Sequence, residues 1–172
     1  MQELRSHQKK LQKNKDVPYW DYGRHGTQTT IQLQKMLNKL EESYHVFLTQ
    51  TGFGAVALAI LSICRPGDEI VISDCVYRPT QKLTTKVLNE FNIKAIWYDP
   101  NNFEDLKKKV TKKTKLIYVE NPGSNTFEFQ DLGKIVSFAK RNNIYSAIDN
   151  TWGTAYYLKP IKIGFDLSIT SA

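Results

Sequence analysis

Several things are scarce in this sequence of 172 residues. Cysteine is nearly absent: Cys64 and Cys75 are the only two, too few for a disulfide framework. One ends an apolar helix and the other follows a strand, so both read as reduced thiols, which fits a cytoplasmic location. Long apolar runs are missing as well. The longest, AVALAIL at 55–61, is far short of the roughly 20 residues a membrane helix needs. The opening MQELRSHQKKLQKNKD is too polar for a signal peptide. The three histidines, His7, His25 and His45, have no metal-ligand spacing, so no metal site is expected. There is no internal repeat and no low-complexity segment.

Arginine is scarce too. Of 24 basic residues only 5 are Arg, and the net charge is +7. The densest basic patch, LKKKVTKKTK at 106–115, lacks the interleaved aromatics of a base-stacking surface. It reads as a solvated, Lys-rich face. Neither a nucleic acid nor a membrane is expected as a partner, and a nucleic-acid binder would have to lose affinity steeply with salt.

What is present is an ordinary globular composition, 41% hydrophobic and 12% aromatic, on a chain long enough for one sizeable core. Residues 1–26 carry no core-facing period in their polar first part and read as an arm. From Thr27, Ile31, Leu33, Met36, Leu37 and Leu40 fall at helical spacing. Six short apolar segments follow: HVFLT (45–49), EIVIS (69–73), IKAIWY (93–98), KLIYVE (115–120), IYSAID (144–149) and a last strand, Leu167 to Thr170, in DLSIT. Helical stretches alternate with them, at 55–64, 79–91, 103–110 and 131–141. The order predicts an α/β fold, a mostly parallel sheet with helices on both faces.

Ligands of such sheets bind beyond the carboxyl ends of the strands. The residues there are Gly52 and Gly54, Tyr77, the stretch Glu120 to Asn125, Asp149 and Ser171. QTGFG (50–54) puts glycines between a strand and a helix, where free N–H groups and the helix dipole favour an anion. It lacks the spacing of a dinucleotide fingerprint or a P-loop, and a plain tight turn fits it equally. Asp149 closes an apolar strand, where a buried carboxylate needs a partner. That partner is either a cationic ring nitrogen of a ligand or the turn that follows, through Asn150 and Thr151. Tyr77 can lie on a ligand ring or be an ordinary core or surface tyrosine. Together, an anion cradle, an aromatic lid and a carboxylate describe a pocket for pyridoxal 5'-phosphate, whose chemistry also needs a Schiff-base lysine.

The motifs YGRHGTQTT, TGFGAVA, CVYRPT, WYDP, ENPGS and IDNTW, in this order, resemble those of the Cys/Met-metabolism family of pyridoxal-phosphate-dependent enzymes, nearest to its cystathionine β-lyase branch. The likeness runs from about residue 3 to Ala172. It implies a partial large domain of fold type I over 27–172, with 1–26 as an arm that reaches a neighbouring subunit. It further implies that Tyr22 and Arg24 contact the cofactor phosphate of that neighbour, making a homo-oligomer with shared active sites. Gly52, Phe53 and Ser171 match the phosphate site. Tyr77 matches the ring that stacks on the cofactor and takes part in proton transfer. Asp149 matches the partner of the pyridine nitrogen. By the same likeness, Thr and then the Schiff-base lysine would come next after Ser171-Ala172, and a C-terminal domain with a substrate-clamping Arg would lie further on.

The chain departs from the pattern at Phe53, where the family has a smaller or unbranched residue, and at Ser124, where many relatives have Asn. Gly26-Thr27-Gln28-Thr29 and Trp152 match the β branch, whose substrate is L-cystathionine or a related thioether. The other readings are a γ-synthase or γ-lyase of the same family, and a non-catalytic remnant that acts only by association.

Overall fold

The computed structural model describes residues 23–172. Tyr22 and the rest of 1–22 lie outside the described residues. The chain divides into two units, one running to Leu48 and one from Thr49.

In the first unit a helical turn, Gly23–His25, precedes helix α1, Gln28–Glu41. Thr27 caps α1 reciprocally with Thr30, each side chain taking the other's backbone N–H and so satisfying two donors that the first turn would leave unpaired. The helical spacing from Ile31 is borne out, but no residue of α1 is buried.

HVFLT was expected as a strand, and it is not one: residues 45–49 form no ladder. The reason is local. The Nε2 of Gln34 donates to the Val46 carbonyl at 2.7 Å, and the Nδ2 of Asn38 donates to the Tyr44 carbonyl at 3.3 Å. Side chains of α1 thus take one carbonyl within this stretch and one just before it, and a strand exists only where a neighbour supplies its ladder bonds.

The second unit contains the five other strands: β1 Glu69–Ser73, β2 Lys94–Tyr98, β3 Thr114–Glu120, β4 Tyr145–Asp149 and β5 Leu167–Ile169. All are parallel, in the order β2-β1-β3-β4-β5. Helix α2, Gly52–Ile63, precedes β1. Between β1 and β2 the chain forms α3, Arg78–Lys82, a π turn, Leu83–Val87, and α4, Leu88–Glu90. Helix α5, Phe103–Lys109, leads to β3, and α6, Leu132–Arg141, leads to β4. Two short helices, α7 Thr154–Tyr157 and α8 Pro160–Ile163, precede β5.

Parallel strands covered on both faces have no polar side, so they read as continuous apolar runs. One face packs Ile70, Ile72, Leu116, Tyr118 and Ala147 against Val56 and Ile60 of α2 and Leu83 and Leu88. The other packs Val71, Ile117, Val119 and Ile148 against Leu106 of α5 and Leu132, Ile135 and Val136 of α6. Ile60, fully buried, contributes about 1.5–3 kcal/mol by leaving water.

The sheet order reverses at β1. The connection after β1 leads to β2 on one side, whereas β3, β4 and β5 build outward on the other. The carboxyl ends of β1 and β3 therefore flank the topological switch point, the place where parallel sheets open a ligand crevice.

Candidate functional site

Helix α2 begins with Thr51 as its N-cap. The Thr51 hydroxyl accepts from the Gly54 N–H at 2.9 Å, and its carbonyl accepts from the Ala55 N–H at 3.0 Å. The N–H groups of Gly52 and Phe53 take no acceptor among the described residues. They are the orphan donors of a helix start, with the positive end of the dipole behind them. Gly52 faces Ser171, and a β-carbon built on Gly52 would overlap the Ser171 side chain. Only glycine leaves room for the Ser171 side chain against the backbone at this position. The Phe53 ring is exposed.

Ser171 is tied to Asp149 through one residue. Its N–H donates to Thr151 Oγ1 at 3.0 Å, and the Thr151 N–H donates to Asp149 Oδ1 at 3.0 Å. Asp149 is buried and forms no ion pair among the described residues. Burial raises its carboxyl above the ordinary range, offset in part by hydrogen bonds from Thr151. The turn-capping alternative for Asp149 is thus present, and it uses one oxygen while leaving the charge without a cation.

Glu120 ends β3 as the register partner of Asp149, and it too is buried. Its Oε2 accepts from the Tyr77 N–H at 2.6 Å. Burial pushes the Glu120 carboxyl up to about 7; the Tyr77 amide opposes this, Asp149 adds to it and Ser124 opposes it. Tyr77 itself is half exposed, at the start of α3.

The residues expected at the strand ends therefore share one rim: Tyr77 after β1, Glu120 on β3, Asp149 on β4, Ser171 after β5, and Gly52 with Phe53 at α2. Arg24 is exposed in the Gly23–His25 turn of the other unit, and Tyr22 lies outside the described residues. Two contributors were not read from the sequence. Thr151 entered only as a cap, yet it bridges Asp149 to Ser171. Glu120 was noted as a strand end without a role, because its partner Tyr77 is 43 positions away in sequence. Two depressions elsewhere on the surface, one lined by Phe103, Lys134 and Arg141 and the other by Ser62, Tyr145 and Asp166, include no residue of the rim.

The donor set fits pyridoxal phosphate. Unpaired amides at a helix start suit a phosphate, and a buried carboxylate without a cation suits a protonated ring nitrogen. The rim is matched in sign to a ligand anionic at one end and cationic at the other.

The fold and this rim define a cofactor-binding α/β domain. The chain matches the family described as Cys/Met metabolism PLP-dependent enzyme over residues 3–172, and it belongs to that family, whose cofactor is pyridoxal phosphate. It is 35% identical to the cystathionine beta-lyase MetC of Escherichia coli K12 over 154 residues, 88% of this chain and 39% of that protein. With the cystathionine beta-lyase of Bordetella avium it shares 33% over 148 residues, 86% of this chain and 37% of that protein. The crystal structure of a cystathionine gamma-lyase from Lactobacillus plantarum, complexed with L-serine, superposes with a TM-score of 0.83 at 26% identity, over 90% of this chain and 40% of that one. The chain thus spans about two fifths of the length of these relatives.

Proposed function

We propose that this chain is the cofactor-cradling part of a carbon–sulfur lyase of the cystathionine β-lyase branch. The reaction is α,β-elimination of L-cystathionine, which with water yields homocysteine, pyruvate and ammonia. The observation that carries the reading is the buried, cation-less Asp149 on the same rim as the Gly52–Ser171 cradle.

When bound, pyridoxal phosphate supplies the electron sink for the bond broken at the substrate α-carbon. The residues of this chain divide the remaining work. The N–H groups of Gly52 and Phe53 and the Ser171 hydroxyl hold the phosphate. Asp149 holds a proton on the ring nitrogen, which keeps the ring electron-poor. The half-exposed Tyr77 ring would stack on the bound cofactor, and its hydroxyl would take part in proton transfer. Tyr22 and Arg24 serve the phosphate site of a second copy, so the working assembly is at least a dimer. The anchoring lysine is expected two residues beyond Ala172, and it is the base at the α-carbon.

The β branch is favoured by Gly26-Thr27-Gln28-Thr29, by Trp152, and by the names of the E. coli and B. avium relatives. The γ branch is the second reading, supported by the likeness to the L. plantarum enzyme. The products separate them. Full-length protein carrying this sequence, given L-cystathionine, should release pyruvate and homocysteine. Release of 2-oxobutyrate and cysteine instead would assign it to the γ branch.

A further inference from the structure

The rim contains a buried acid that the proposed chemistry does not use. Glu120 lies at the end of β3, 3% exposed, and its side chain crosses the switch point to the loop after β1. There its Oε2 takes the Tyr77 N–H at 2.6 Å. The same loop is held to the segment after β3 a second time, by the Ser124 N–H donating to the Cys75 carbonyl at 2.9 Å. From the helix side, Gln81 Nε2 donates to the carbonyls of Asp74 and Val76 at 3.0 and 3.1 Å. The Glu120 backbone is itself fixed, because Gln130 Nε2 donates to its carbonyl at 3.1 Å.

The loop that presents Tyr77 is thus clamped on both sides. Only one of these bonds ends on the backbone of Tyr77 itself and comes from a side chain, and that is the Glu120 bond. Tyr77 is also the residue preceding α3, where it has no side-chain cap and where Pro79 fixes the second helical position. The direction of its Cα–Cβ bond depends on how its own amide is held.

We propose that Glu120 is a positioning residue for the cofactor ring: by accepting the Tyr77 N–H across the switch point it sets the angle of the Tyr77 ring over the site that ends at Asp149. The inference rests on the reading of this rim as a pyridoxal-phosphate site. What matters in it is an acceptor at the end of a five-atom reach, not a formal charge. Glutamine at 120 preserves the acceptor. Methionine, of similar length, removes it and leaves the Tyr77 N–H without its partner.

The experiment is a titration of pyridoxal 5'-phosphate into the apo form of the full-length protein, for wild type, Glu120→Gln and Glu120→Met. It is read by fluorescence and by circular dichroism in the cofactor's absorption band, which reports ring orientation. Expected is a dissociation constant within about twofold of wild type for the Gln variant, with the same band shape. For the Met variant a rise of about tenfold is expected, with a changed dichroic band. Melting of the apo proteins, compared alongside, separates a folding defect from a ring-positioning one. A Met variant that binds with wild-type affinity and band shape overturns the role of Glu120, as does a Gln variant as impaired as Met. A wild-type protein that does not bind pyridoxal phosphate overturns the functional reading itself, and this inference with it.

Discussion

Gly52 and Ser171 stand so close that no β-carbon fits on the glycine: placed there, it would overlap both Oγ and Cβ of the serine. The start of α2 and the end of β5 are thereby drawn together, and the two unpaired amides of α2 open beside a hydroxyl. A methyl group at position 52 has to displace Ser171 or be displaced by it.

Gly52→Ala should therefore weaken pyridoxal-phosphate binding at least tenfold and destabilise the fold by about 1–3 kcal/mol, the usual cost of overpacking. Adding Ser171→Gly removes the clash. The double variant should regain stability in a urea titration without regaining cofactor affinity, since the phosphate still lacks its hydroxyl. Recovery of both together would mean that Ser171 does not bind the phosphate.

Asp149→Asn keeps the side chain's shape and removes its charge. In the full-length protein it should lower turnover by at least two orders of magnitude. Stability should stay the same or rise slightly, because a buried carboxylate without a cation opposes folding. Steady-state kinetics and thermal melting check this together. Turnover near wild type would reduce Asp149 to the turn cap that its bond from Thr151 already makes it.

Glu120 should make stability depend on pH. Its carboxyl is raised from 4.5 in the unfolded reference to about 7 in the fold, chiefly by burial. A raised folded value means that the folded state binds the proton more tightly. The contribution is fully present below about pH 4.5 and is lost as pH rises through 7. With solvent screening discounted, the loss is about 1–2 kcal/mol. Glu120→Gln escapes it, so the stability of that variant relative to wild type should rise between pH 5 and pH 8 in urea titrations of the apo protein. A constant difference at both pH values would show that Glu120 does not titrate in this window.

The 172-residue chain by itself should self-associate. Met36 is 68% and Phe47 74% exposed in the first unit. In the second unit Leu58 and Leu61 of α2 are exposed, and β5 is an edge of the described sheet with one row of backbone groups unpaired. Sedimentation should find oligomers, with binding of a hydrophobic dye. A sharp monomer that melts cooperatively and binds no dye would contradict this.

Five of the six strands were legible because burial on both faces forces continuous apolar runs, and a run such as Ile70 to Ile72 or Leu116 to Val119 reads the same in sequence as in space. HVFLT carries the same signal but is unpaired. Its apolar pattern is local, whereas pairing depends on a neighbour, and Gln34 takes the Val46 carbonyl within it while Asn38 takes that of Tyr44 just before it. The helix expected at 79–91 forms, but its π turn at Leu83–Val87 left no mark in the apolar spacing. At the rim, Tyr77, Asp149 and Ser171 were legible as residues at or just after strand ends, and Gly52 as the start of α2, although the HVFLT stretch before it is no strand. Glu120 was not, since its meaning lies in a backbone amide 43 residues away, and no local pattern encodes that approach.

The most direct measurement is equilibrium binding of pyridoxal 5'-phosphate to the full-length protein carrying this sequence, in parallel with Gly52→Ala and Asp149→Asn. Expected is saturable binding of one cofactor per chain with an induced dichroic band, weakened at least tenfold by Gly52→Ala and altered in band position by Asp149→Asn. Absence of saturable binding, or binding that neither substitution changes, would contradict the assignment of this rim as the cofactor site.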